Sequence, residues 1–375
     1  MKKIIFILGN NPQLSVAEIS AVFGHEDILE QTDQYAVLQT ENFDHEKSMR
    51  RLGGVIKTAE VIGKFEKGLL VKDLLAKEGK IIFGLSDYRE AGNKGGRKEG
   101  RAELEKIGLS IKKTLKESGR PVRFVVSKEP VLSSVVISKN KCQEYIIIGK
   151  NTLCKTCAVQ DFVDYGKRDF GRPSRDAYSG MIPPKLAKIM INLSKAGTNR
   201  VLYDPFCGSG TILQEALMLG FKEVVGSDIS EKAISDTKKN IGWLKEKFNV
   251  ENSKIKIFHS DVREISRHIQ NVDVIVTEPY LGPALRGREH AREIERTAME
   301  LRKLYVAAFV GVAKILKKGA KVVFVLPQFK GLEKINSETV RKIESCGFLC
   351  IRPKNLTYSR PTQLVARKIS LFEKK

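Results

Sequence analysis

From residue 200 onward the chain alternates short apolar runs with longer amphipathic ones, and the first four apolar runs each end on or beside a carboxylate. Strand-like Arg200–Asp204 precedes a helix over Gly210–Leu219, and Glu223–Ser227 precedes a helix over Glu231–Leu244. Ile255–Phe258 leads to a short helix, and Asp273–Thr277 to a long basic helix near Ile294–Leu316. Lys321–Leu326, Leu349–Arg352 and Leu364–Leu371 read as further strands, with a helix around Ser337–Glu344. Strands alternating with helices in this way build a mostly parallel, doubly wound sheet. Ligands of such sheets bind beyond the carboxyl ends of the strands, where Asp204, Asp228, Asp261 and Glu278 fall. One acid at a strand end is ordinary; an ordered series at four successive ends is far more specific.

The first end reads YDPFCGSGT (Tyr203–Thr211), and its Gly208 and Gly210 let the backbone approach a ligand closely. A dinucleotide-binding turn would need a third glycine three residues after Gly210, where the chain has Leu213, so a dehydrogenase is disfavoured. Asp228 closes VVGSD, and a carboxylate there can accept both hydroxyls of a ribose. Asp261 closes IFHSD. The fourth end, VIVTEPYLGP (Val274–Pro283), sets Glu278, Pro279 and Tyr280 in succession. Strand ends often carry an acid and proline stops strands, so this segment taken alone is open to a purely structural reading.

A chain of 375 residues exceeds one ordinary core, so two or three domains are expected. Lys3–Leu8 reads as a strand, followed by an N-cap at Ser15 and a helix over Val16–Phe23; Tyr35–Gln39 and Leu52–Ile62 continue an α/β pattern. Asp87–Arg101 (DYREAGNKGGRKEGR) is polar, Gly-rich and basic and reads as a loop. A helix over Leu104–Lys116 and strands at Val122–Val126, Ser133–Ser138 and Tyr145–Ile148 suit a small α+β module, and Asp164–Pro173 reads as a basic connector.

Lys and Arg number 66 against 44 Asp and Glu, a net charge of +22 that points to a polyanionic partner, of which nucleic acid is the commonest. No apolar run approaches the length of a membrane span, and MKKIIFILGNNPQLS reads as a first strand, not a leader. The six cysteines then suit a reducing cytoplasm. A structural zinc site needs four ligands, and neither Cys154/Cys157 nor Cys346/Cys350 has a second close pair or a nearby His, so no metal is expected. No obligatory protein partner is evident.

Together, YDPFCGSGT, VVGSD, HSD and VTEPY resemble motifs I to IV of the class I S-adenosylmethionine-dependent methyltransferases, and DPFCGSGT resembles the form found in enzymes that methylate exocyclic amino groups of nucleic-acid bases. Residues 160–194 (QDFVDYGKRDFGRPSRDAYSGMIPPKLAKIMINLS) closely resemble the junction between the THUMP RNA-binding module and the catalytic domain of tRNA (guanine-N2) methyltransferases acting at position 10. FILGNNPQLSVAEISAVFG and RLGGVIKTAEVI are similar to that family's N-terminal domain.

The resemblance implies an N-terminal α/β domain over residues 1–90, a THUMP-like α+β module over 91–172 and a Rossmann-like methyltransferase domain over 173–375. It implies methylation of the N2 amine of a guanosine in tRNA at position 10, with N2-guanine methylation at another tRNA or rRNA site, or a non-catalytic RNA-binding protein that keeps the cofactor fold, as alternatives. Carried over, Asp204, Phe206, Gly208, Gly210, Asp228 and Asp261 bind S-adenosylmethionine: Asp204 and the glycines at the methionine end, Asp228 at the ribose, Asp261 near the adenine. Pro184 and Lys185 start a helix flanking the cofactor. Glu278 and the Pro279 carbonyl become acceptors for the base amine, and Tyr280 its stacking face. The motif departs from the family's acid-Pro-Pro-aromatic pattern: one proline is missing, the acid is Glu, and Leu281 stands at the aromatic's usual place. Either Tyr280 stacks from one position earlier or stacking comes from elsewhere. Arg286, Arg288, Arg292 and Arg296 suit either RNA phosphates or a solvated helix face paired with Glu289, Glu293 and Glu295.

Overall fold

The computed structural model describes residues 1–89, 96–175, 181–250, 253–283, 285, 287–329, 333–351, 356–360 and 364–375. The chain forms two compact units, the first holding residues 1–12, 24–50 and 55–162, the second residues 13–23, 51–54 and 163–375. The earlier part of the chain runs β1 (Lys2–Leu8), α1 (Pro12–Phe23), β2 (Ile28–Gln31), β3 (Tyr35–Thr40), α2 (His45–Arg51), β4 (Val55–Lys64), α3 (Lys67–Leu75), β5 (Ile81–Asp87), α4 (Gly96–Glu117), β6 (Val122–Val125), α5 (Ser134–Asn140), β7 (Gln143–Ile148) and β8 (Thr152–Val159). The later part runs α6 (Phe162–Phe170), α7 (Pro184–Leu193), β9 (Val201–Asp204), α8 (Thr211–Met218), β10 (Glu223–Asp228), α9 (Glu231–Phe248), β11 (Lys254–His259), β12 (Val272–Thr277), α10 (Ala291–Ala313), β13 (Leu316–Phe329), α11 (Glu333–Ser345), β14 (Phe348–Ile351), β15 (Thr357–Tyr358) and β16 (Val365–Lys374).

In the first unit the strands lie in one sheet of order β2-β3-β1-β4-β8-β7-β5-β6. Strand alternation sends Ile5, Ile7, Val37 and Ala59 into one core and Phe83, Leu85, Tyr145 and Ile147 into another with Leu70, Leu74, Ile111 and Leu115 of the helices. The boundary expected at residue 90 therefore runs through a single sheet. β4 pairs with β8 and β5 pairs with both β6 and β7, because each half alone would leave unpaired strand edges.

Two local readings also change. Ser133–Ser138 is not a strand: Ser133 accepts from the Val136 amide at 3.3 Å and caps α5, and that cap outweighs the β-branched run. The Gly-rich segment expected as a loop is helical from Gly96, where α4 begins, while residues 90–95 lie outside the described residues. The CxxC does not converge, since Cys154 is buried and Cys157 exposed on β8. Cys157 instead lies with His45 and Glu60, their ligand atoms within 4.8 Å of one another, and Glu60 pairs with Lys2 there.

The second unit carries the expected Rossmann-like sheet, of order β11-β10-β9-β12-β13-β16-β14 with β15 beside β16. β9 to β13 run parallel, and β16 runs antiparallel between β13 and β14. Leu186, Met190, Ile212, Leu213 and Ile241 pack one face, and Leu301, Tyr305, Phe309 and Ile343 the other. Among the described residues no helix is long and apolar enough to cross a membrane.

Residues 13–23 and 51–54 complete this second core, with Leu14 fully buried beside α7. Ser15 is not the N-cap of α1; it lies inside the helix and donates to the Gly54 carbonyl at 2.7 Å. Glu18 accepts from the amides of Gly53 and Gly54, both at 2.8 Å, and from Asn192 of α7 at 2.7 Å. The fit is close at Gly53, where an added Cβ would lie 2.3 Å from the Lys185 carbonyl oxygen. Gly53→Ala is thus expected to lower stability by about 1–3 kcal/mol or more in a denaturant titration. Gly68→Ala, at a helical position with open space around it, should leave stability unchanged or slightly raised.

Candidate functional site

Parallel pairing in register brings the carboxyl ends of β9, β10 and β12 to one edge of the second sheet. A cleft of about 510 Å³ opens there, bordered by Asp204, Phe206, Gly208, Asp228, Asp261 and the segment Glu278–Leu281. That volume falls in the usual range for a small-molecule site. Eight of the nine residues singled out from the sequence thus share one cleft. Gly210 does not border it; it is the N-cap of α8 with φ +84°, where a Cβ would come within 2.9 Å of Thr237. Gly208, φ +53°, has no atom within 4 Å of where its Cβ would stand, so its bare backbone leaves room for a ligand.

Each acid is held differently. Asp204 is almost completely buried and accepts from Thr277 Oγ1 at 2.6 Å and from the Phe206 amide at 3.1 Å. Burial, reinforced by the nearby Asp228 and Glu278 carboxylates, pushes its carboxyl up to about 7. Asp228 accepts from the Gly208 amide at 2.9 Å and the Ser230 amide at 3.0 Å, one on each oxygen, which leaves a second acceptor direction on both. Asp261 pairs with Arg263, which holds its carboxyl below the usual carboxylate range.

Glu278 is met by a partner that no motif marks. Arg367 of β16 donates from Nε to Oε2 at 2.6 Å and from Nη2 to Oε1 at 3.1 Å. Burial raises the Glu278 carboxyl above its ordinary value, and the guanidinium opposes that rise. Beyond it, the Tyr280 carbonyl accepts from Tyr305 Oη at 2.7 Å while the Tyr280 ring is 55% exposed. Leu281 packs against the apolar core instead. Of the two places open to an aromatic, the exposed ring is thus at position 280.

The glycine turn is braced by side chains that sequence reasoning missed. Thr237 donates to the Gly208 carbonyl at 2.6 Å, and Asn240 donates to the carbonyls of Ser209 at 2.8 Å and Ser174 at 2.9 Å. Both sit on the apolar-facing side of α9, a position where a polar residue is itself a signal of a buried hydrogen bond. The connector's guanidiniums also point inward: Arg168 pairs with Glu215 at 2.6 Å and Arg172 donates to Thr211 Oγ1 at 2.6 Å. Lys185 follows Pro184 at the start of α7 as expected, but its ammonium lies over the Tyr165 ring, and Met181 and Ile182 border the cleft in its place. Arg288, Arg292 and Arg296 are exposed; Arg296 pairs with Glu300, and Arg286 lies outside the described residues.

A family profile described as an RMKL-like methyltransferase domain matches residues 172–346, and one described as a DNA methylase matches residues 104–239. The chain is 30% identical over 161 residues to the tRNA (guanine(10)-N2)-dimethyltransferase of Methanothermobacter thermautotrophicus, covering 43% of each chain. It is 32% identical over 129 residues to the protein of that name from Methanocaldococcus jannaschii, covering 33% of this chain and 35% of that one. It is 30% identical over 145 residues to the "Probable tRNA (guanine(10)-N2)-dimethyltransferase" of Methanothermococcus thermolithotrophicus, covering 37% of this chain and 78% of that one. The matched region thus spans less than half of the first two relatives. Among solved structures, TrmN from Thermus thermophilus superposes with a TM-score of 0.57 at 17% identity over the full length of both chains, a likeness of fold.

The buried Asp204 carries a stability consequence. Its folded-state carboxyl keeps its proton up to about 7, whereas an unfolded one releases it near 3.8, so the native state binds more protons between those values. Stability contributed by this site therefore falls as pH rises through that window. Asp204→Asn, which keeps an oxygen acceptor without the charge, is expected to flatten the decline in melting temperature between about pH 4 and pH 7, measured by calorimetry.

Proposed function

We propose that this chain, which belongs to the tRNA (guanine(10)-N2)-dimethyltransferase family, methylates the exocyclic N2 amine of a guanosine in tRNA, with position 10 as the target. The observation that carries this reading is the meeting of Gly208, Asp228, Glu278 and the exposed Tyr280 ring on one cleft. S-Adenosylmethionine suits that cleft and, when bound, supplies a sulfonium methyl as electrophile. Gly208, with open space at its Cβ position, would hold the methionine end, the remaining acceptor directions of Asp228 would hold the ribose hydroxyls, and Asp261 on the cleft border would hold the adenine.

A guanine amine is a poor nucleophile because its lone pair is delocalised into the ring. It must pyramidalise, so acceptors are needed to orient its N–H bonds and receive a proton. The Glu278 carboxylate and the Pro279 carbonyl serve as those acceptors. The Tyr280 ring offers the stacking face, with its backbone fixed by Tyr305.

The N-terminal half, with a THUMP-like module over residues 91–172, supplies most of the tRNA affinity along with the exposed Lys167 and Arg175 of the connector. Arg168 and Arg172, turned into the protein, do not contribute phosphate contacts.

Nucleoside mass spectrometry of tRNA treated with the protein and cofactor is expected to reveal N2-methylated guanosine; cofactor and tRNA binding with no methylation would favour the non-catalytic alternative. Asp228→Ala should weaken cofactor binding by roughly 1.5–3 kcal/mol in calorimetry, the scale of lost charge-assisted hydrogen bonds. Glu278→Ala should lower turnover on the order of 10²-fold with cofactor affinity nearly unchanged, and wild-type turnover would remove Glu278 from the chemistry. Tyr280→Phe should be mild and Tyr280→Ala should slow turnover. Affinity of the full chain for tRNA should fall steeply between about 50 and 200 mM salt.

A further inference from the structure

β16 reaches past β13 to the end of β12 through one side chain. Arg367 stands opposite Pro327 of β13 and is 6% exposed, and its guanidinium meets Glu278 fork to fork. Each carboxylate oxygen uses one acceptor direction on that fork and keeps another. We propose that Arg367 is a positioning and specificity residue that holds Glu278 as an ionised, all-acceptor pair of oxygens, the form complementary to the adjacent N1–H and N2–H donors of guanine. This rests on the reading of Glu278 as the acceptor for the base.

A carboxylate enclosed to this degree without a counter-charge takes up a proton. Protonated Glu278 would present one donor and one acceptor, and the donor would oppose a guanine N–H while suiting the donor-acceptor edge of adenine. Arg367 thus decides which edge the same side chain can read. The motif's departure from its family pattern also gains a physical setting. Aspartate at 278 would withdraw its oxygens by one methylene from a guanidinium that is anchored two strands away, so the longer acid and the arginine form a matched pair.

The titratable groups around the pair come from three other elements. Asp204 at the end of β9 interacts with Glu278, and burial pushes its own carboxyl up to about 7. Tyr305 of α10, its hydroxyl raised by burial, bonds the Tyr280 carbonyl, and Tyr358 of β15 lies beside Arg367. All three side chains stay in place in variants at positions 278 and 367; because the Glu278 charge helps to raise the Asp204 carboxyl, the Glu278→Gln background reports how much of any pH response belongs to Asp204.

The test is methylation of unmodified tRNA by the full-length protein across about pH 6 to 9.5, for the wild type, Arg367→Lys, Arg367→Met, Glu278→Gln, Glu278→Ala and the Glu278→Gln/Arg367→Met double variant. Arg367→Met should lose about 10²-fold in turnover at pH 7 and regain at least about 10-fold toward pH 9, as Glu278 ionises without its partner. Arg367→Lys, which keeps the charge and loses the fork, should fall between it and the wild type. In the Glu278→Gln background Arg367→Met should add no pH dependence, and KM for the cofactor should stay within about 2-fold throughout. Loss by the same factor at every pH, or wild-type turnover with an unshifted profile, would overturn the proposal. If Arg367→Met fails to fold, Arg367→Lys decides by the same criterion. Full activity of Glu278→Ala would instead overturn the reading of Glu278 itself, whereas an inactive Glu278→Ala beside a pH-independent Arg367 effect sinks only the role given to Arg367.

Discussion

The pairing of β9 with β10 and β12 gathers Asp204, Asp228 and Glu278 at one edge of a parallel sheet, and much of the surrounding structure answers that gathering of carboxylates. Three different answers appear. Asp204 is hydrogen-bonded to Thr277 and pushed toward its protonated form, Asp228 is met by two backbone amides, and Glu278 is met by a guanidinium. A buried acid must be neutralised, hydrogen-bonded or paired, and here each solution leaves a different chemical capacity at the cleft. Asp204 ties β9 to β12, Asp228 retains directions for hydroxyl donors, and Glu278 remains an acceptor.

The backbone between these acids is equally constrained. The Gly208–Gly210 turn needs positive φ at both glycines, and α9 holds it through Thr237 and Asn240. Asn240 also accepts from the Ser174 amide at 2.9 Å, so the connector and the turn share one side chain. Arg172 adds a bond to Thr211 at the start of α8. The residues just before the parallel sheet therefore act as architecture for the cleft. That explains why a segment rich in positive charge turns two of its guanidiniums away from solvent.

The interleaving of the chain has a consequence for dissection. Leu14 lies in the second unit's core and Glu18 bonds Gly53, Gly54 and Asn192, so a fragment beginning near residue 178 would lack part of that core. Apolar side chains left without their neighbours expose surface and open cavities. Substitutions in the full chain probe the two units more cleanly than a cut between them.

Strand and helix periodicity, the glycine turn and the acids at successive strand ends were legible in the sequence because each is a local pattern repeated within a few residues. They were enough to foresee the parallel sheet and to place Asp204, Asp228, Asp261 and Glu278 at its strand ends, while Phe206 and the roles of these residues came only with the resemblance to methyltransferase motifs. The helix at Ser134–Asn140 escaped because its β-branched residues resemble a strand until the Ser133 cap is placed. The single sheet of the first unit, the burial of residues 13–23 in the second, the inward turn of Arg168 and Arg172, and the Glu278–Arg367 pair were decided only by tertiary structure. Glu278 and Arg367 stand 89 residues apart, and no local periodicity connects them. What joins them is the order β12-β13-β16, a pairing of strands whose hydrogen bonds depend on where the chain folds back and not on any pattern within the strands themselves.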